Sequence, residues 1–99
     1  MDRRLELDAI LKTIGPHVYF QPPSNVQMQY PAIVYERDRS DTKFADDRPF
    51  SVTNHYSLTL ISREPDEAIF ASLSQLPMCA HERYFAADSL NHDVFSIYF

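Results

Sequence analysis

Glycine is nearly absent from this 99-residue chain: Gly15 is the only one. A G-x-G-x-x-G turn or a P-loop needs several glycines, whose missing Cβ lets backbone amides close on an anion, so phosphate cradles of that kind are excluded. Cysteine is as scarce. Cys79 stands alone, which rules out an internal disulfide and fits a chain made in a reducing cytoplasm. Tryptophan is missing, and Lys and Arg together number 9 against 14 Asp and Glu, for a net charge of -5. The clustered cations that displace counterions from nucleic acid are therefore lacking. No apolar run approaches the roughly eighteen residues of a membrane span. The opening MDRRLELDAI carries charges where a secretory leader needs an apolar core.

Aromatic residues, by contrast, are plentiful. Seven Phe and six Tyr, within a hydrophobic content of 44%, predict a β-rich core rather than disorder. A chain of this length makes one domain, 1–99, with one core.

Charge is concentrated in one place, ERDRSDTKFADDR from Glu36 to Arg48. Glu36, Asp38, Asp41, Asp46 and Asp47 oppose Arg37, Arg39, Lys43 and Arg48, and Phe44 is the only large apolar side chain. The segment cannot bury itself. It separates two strand-like stretches, PAIVY and HYSLTLI, and a connection of a dozen residues is long for a hairpin; such loops are disordered or functional.

Around this arm the periodicities are regular. Leu7, Ile10, Leu11 and Ile14 fall at helical spacing, with Asp2 as N-cap and Gly15-Pro16 as a stop, so a helix is expected over 3–14 with Gly15 at positive φ beyond its end. His17 to Phe20 reads as a short strand and Gln21-Pro22-Pro23 as a loop. Ala32 to Tyr35, apolar on both faces, reads as a central strand. Tyr56, Leu58 and Leu60 alternate with polar residues in a strand from about Val52 to Ser62, which should pair antiparallel with it. Pro65, as a first helical residue, opens a second helix over 65–76 with Ile69, Phe70, Leu73 and Leu76 on one stripe. Met78 to Phe85 and Asp93 to Phe99 are the last strands, joined by AADSLNH. The expected fold is α+β: a mostly antiparallel sheet packed by two helices, in the order α-β-β-β-α-β-β, with a long charged hairpin arm.

Catalytic chemistry is thin. His17, His55, His81 and His92 show no metal-ligand spacing with each other or with Cys79, so no metal or cofactor is expected. Cys79 and His81 at i, i+2 are the one nucleophile-and-base candidate, and a buried hydrophobe beside a surface histidine accounts for them as well. Asp46-Asp47 is a poor carboxylate pair, because adjacent residues diverge and no apolar wall raises a pKa. An enzyme is not expected.

The segments VYFQPP, MQYPAIVYERD, HYSLTLISREPDE and LPMCAHERYFAADSLNHDVFSIYF together resemble the small tail-completion, or tail terminator, proteins of long-tailed bacteriophages, over nearly the whole chain. The resemblance implies a virion structural protein of a siphovirus type, assembled in the bacterial host cytoplasm. It implies a ring, expected to be a hexamer, that caps the tail tube, ends tail polymerisation and joins the tail to the head connector. Its implied partners are further copies of itself, the major tail tube protein and the head-tail connector or stopper; DNA only passes through the channel, and no membrane is involved. Rings need one patch to meet a different patch on the neighbour. The candidate interface residues are Asp38, Arg39, Asp41, Lys43, Phe44, Asp47 and Arg48 in the arm, with Tyr98 and Phe99 on a terminal strand whose edge would extend a sheet between subunits. A small cytoplasmic adaptor, or a head-tail connector component, gripping a protein partner through 36–48 is the alternative.

Overall fold

Every helix and strand of the chain packs around a single sheet. The computed structural model describes residues 3–45 and 48–99, and side chains outside 41–52. The elements run α1 (Arg3–Ile14), β1 (His17–Phe20), β2 (Ala32–Ala45), β3 (Arg48–Ser62), α2 (Glu67–Ser74), β4 (Cys79–Ala87) and β5 (Leu90–Tyr98). The sheet order is β1-β2-β3-β5-β4. β1 and β2 are parallel, and the β2–β3, β3–β5 and β5–β4 pairs are antiparallel. The protein is therefore α+β in the expected order.

One sheet face carries the core. Ile33 and Tyr35 of β2, Tyr56, Leu58 and Leu60 of β3, and Phe95 and Ile97 of β5 alternate onto it, and Leu7 and Leu11 of α1 with Ile69 and Leu73 of α2 cover them. Period two on the strands and period 3.6 on the helices bring these residues to one plane. The connection 21–31 serves the other face, where the Gln29 amide donates to the Tyr19 hydroxyl at 3.1 Å and the Arg63 guanidinium lies 5.4 Å from the centre of the Tyr30 ring.

Four expectations need correction. Gly15 does not have positive φ. Its amide closes the last helical bond onto the Leu11 carbonyl at 3.0 Å, and a Cβ there would stand 2.8 Å from Ile33 Cδ1, so α1 needs glycine to come close to β2 rather than to turn. The second helix is shorter than 65–76. Asp66, extended at φ -106 and ψ 91, is its N-cap and accepts from the Ile69 amide, so Pro65 precedes the cap. Gln75 and Leu76 turn back with tighter bonds to Ser72 and Leu73, ending it early. In the last hairpin AADSLNH is not a loop. β4 and β5 continue through it to Ala87 and Leu90, turning on Asp88 and Ser89 at φ 52 and 63, the conformation of a type I′ turn.

The fourth correction concerns the arm. It is not a loop of a dozen residues, because β2 and β3 remain paired as far as Ala45↔Arg48. Asp46 and Asp47, and the N-cap proposed at Asp2, lie outside the described residues. Strand pairing satisfies the backbone whatever side chains it carries, so charge at successive positions suits a strand pair as well as it suits a loop. β3 pairs with β5 only from His55 onward, so residues 40–45 and 48–54 stand beyond the sheet as a two-stranded ribbon. At about 3.3 Å per residue it projects roughly 20 Å. The molecule is correspondingly long, 51 × 28 × 24 Å, with a radius of gyration of 14.7 Å, against about 13 Å for a compact domain of this size.

Candidate functional site

The foot of the ribbon is a clasp built by three strands. Between Arg37↔Tyr56 and Arg39↔His55 the register slips by one residue, leaving Asp38 as a bulge. A bulge twists a strand and re-aims a side chain. Here the Asp38 carboxylate accepts a hydrogen bond from Nδ1 of His55, which is only 6% exposed. The His55 ring meets the edge of Tyr98 at 4.8 Å, and the Tyr98 hydroxyl accepts from the Arg39 guanidinium. Beside them the Phe99 amide donates to the Asn54 carbonyl at 3.0 Å. The ribbon is thus tied at its base to the C-terminal strand.

Next to the clasp, on the helical side, lies an apolar groove of about 470 Å³. Leu7 and Ile10 of α1, Leu76 and Met78 from the link to β4, and Ile97 and Phe99 line it. The Arg3 guanidinium lies over the Phe99 ring at 4.4 Å, and its Nε is 3.5 Å from Glu6.

A second polar cluster seats α1 on the sheet. The Tyr35 hydroxyl donates to Asp8 at 2.6 Å, Lys12 Nζ reaches the other Asp8 oxygen at 2.6 Å, and Arg4 donates to the Tyr35 hydroxyl at 3.4 Å. Burial pushes the Tyr35 phenol up, with help from Asp8, to about 12. Burial works to raise Asp8 too, but its hydrogen bonds to Lys12 and Tyr35 outweigh that and hold the carboxyl below its ordinary value. This cluster sits beside the core rather than at the clasp.

The candidate interface residues separate into two groups. Asp38, Arg39, Tyr98 and Phe99 come together at the foot. Asp41, Lys43, Phe44 and Arg48 are on the ribbon backbone, opposite Thr53, Ser51, Pro49 and Ala45 respectively, and Asp47 lies outside the described residues. The expectation that the terminal strand offers a free edge is overturned: β5 lies between β3 and β4, and both of its edges are taken. A two-residue turn folds β4 tightly against β5, so β4 becomes the outer strand.

Cys79 and His81 do not form a nucleophile pair. The thiol packs against the core, and burial pushes it up to about 11. His81 turns instead to Asp93 at 3.1 Å and packs on the Phe70 and Phe95 rings. Among the described residues no group of three or more His, Cys, Asp or Glu is placed to hold a metal, and no helix is long and apolar enough to cross a membrane.

Sequence reasoning missed His55, Asn54 and the outer position of β4. His55 read as the polar member of an alternating strand. Its partner Asp38 lies in the arm, and only the bulge brings the two together. The outer position of β4 was carried by Asp88-Ser89, which lacks the glycine by which such turns are usually recognised. No protein-family model matches the chain, and no curated protein matches it significantly.

Proposed function

We propose that the protein is a tail-completion subunit of a long-tailed bacteriophage, forming a ring that caps the tail tube and joins it to the head connector. The observation that carries this reading is the ribbon, a charged two-stranded extension with no third strand, clasped at its foot to the end of the chain. Such an extension contributes little to its own core. Its use is outside the subunit, where alternating charges can find opposite charges on a neighbour at an interface that steers and orients more than it binds. The tail-terminator resemblance of the framework segments supplies the partner class. A net charge of -5 suits a ring through which DNA passes without adhering.

Negative-stain imaging tests this reading. Purified protein, or tails carrying a tagged copy, should show rings with a central channel, and the tag should map to the head-proximal end of the tube. A tag found along the tube or at its distal end would overturn it.

A further inference from the structure

Two long stretches of strand edge are left open by the fold, and they lie on opposite sides of the sheet. On one side β4 is outermost, and residues 80–87 have β5 on their inner side only. On the other side β1 covers β2 only from Ala32 to Tyr35. Gln21 continues that cover by donating its amide to the Tyr35 carbonyl at 2.9 Å and accepting from the Arg37 amide at 3.4 Å. From 38 to 45, among the described residues, no strand lies beside the same edge of β2. The two open stretches are equal in length. Each carries both signs of charge: Asp38, Arg39, Asp41 and Lys43 on β2, Glu82 and Arg83 on β4. The β4 side is also where apolar surface gathers. Of the four large hydrophobic residues exposed among those described, Met78 (71%), Tyr84 (57%) and Phe85 (37%) belong to β4 or the residue leading into it.

We infer that the β4 edge is the subunit interface, and that it pairs with the open 38–45 edge of a second copy, so that the sheet continues from one subunit into the next. An unpaired edge is a template for another strand, and main-chain hydrogen bonds between edges need no side-chain pocket. Two other stretches are open as well: the outer edge of β1, only four residues long, and 48–53 on β3, which includes Pro49 with no amide to donate. Joining different edges makes the contact heterologous, the kind that closes into a ring when the rotation permits. Asp41 and Lys43 in the sequence of one edge and Glu82 and Arg83 in that of the other supply both signs of charge for the joint to match. This inference rests on the ring reading and names the surface that would build the ring.

The test uses the full chain and two variants in analytical ultracentrifugation. Glu82→Pro places proline at the β4 bulge between His81 and Arg83, where the sheet itself tolerates it but an incoming strand loses a donor. The second variant replaces 41–53 by Asn-Gly, closing the hairpin at the Ser40↔Asn54 pair and removing most of the open β2 edge. Both should melt as cooperatively as the parent; Tyr84→Arg, at an exposed site on the same edge, substitutes for Glu82→Pro if that variant does not. The parent should sediment as an oligomer, each variant alone as a monomer, and the equimolar mixture as a dimer, since one intact β4 then meets one intact arm. A truncated-arm variant that dimerises by itself would mean β4 pairs with β4 across a twofold axis, and would overturn the inference. So would a parent that stays monomeric at its highest attainable concentration. A closed ring that Glu82→Pro and Tyr84→Arg leave intact would overturn the edge pairing and leave the ring reading standing. Open-ended growth of the parent, stopped by both kinds of variant, would uphold the edge pairing and overturn the ring.

Discussion

Gly15 shows how one residue can be required for a reason its own backbone does not reveal. With an ordinary φ, its need for hydrogen in place of Cβ comes entirely from Ile33 Cδ1, 2.8 Å from where that Cβ would be. Gly15→Ala should therefore destabilise the fold by about 1 kcal/mol, as overpacking of 1–3 kcal/mol is partly offset by the stiffer unfolded chain. A chemical denaturation curve with an unchanged or higher midpoint would show that Ile33 gives way freely. The Tyr35 and Asp8 cluster makes a pH prediction with a definite sign. A phenol raised to about 12 from its ordinary 10.0 ionises first in the unfolded chain, so stability is full below pH 10 and falls as pH rises toward 12. Asp8 is lowered, so its contribution is present above its ordinary value of 3.8 and fades as pH falls through the folded pKa. Tyr35→Phe should lose the alkaline dependence, measured by thermal melts from pH 9 to 12; the same slope in both proteins would assign it to another group.

Among the elements, the helices and central strands were the most legible, because Leu7, Leu11, Leu58 and Leu60 each repeat at the period of the element that holds them. Ends were less so. Pro65 is a permitted first helical residue, but Asp66 has the side chain that caps, and only the backbone decides between them. The ribbon was the hardest to read, since its charges fit equally well in a solvated loop and in a pair of strands. Of the candidate site, the arm and Tyr98-Phe99 were visible as charge and terminal aromatics. Their joining through Asp38 and His55 was not, because it depends on a bulge in register. Hydrogen-deuterium exchange should follow the same division. In the monomeric Glu82→Pro variant, where no neighbouring subunit covers the ribbon's edge, amides over 56–61, in a strand paired on both sides and covered by the core, should exchange slowly, and those over 40–45 quickly, because a two-stranded ribbon opens without disturbing the sheet. Equal protection of the two stretches would show that the ribbon is part of the cooperative unit.

At the scale of the whole molecule, the long axis of 51 Å, the clasped ribbon and the sheet open at both sides are what the proposed ring reading draws on. Folding and assembly are then separable. Shortening the hairpin by replacing 41–53 with Asn-Gly removes no residue of the core cluster, and loop-closure entropy changes by only about 1 kcal/mol or less. The monomer should keep its stability while losing its assembly. Under the proposed tail-completion role, complementation of a phage from which this gene has been deleted tests that claim most directly. The shortened protein should be produced and folded yet fail at tail completion, leaving filled heads and separate tails, or tails of uncontrolled length. Intact infectious particles at the parent's titre would contradict the account.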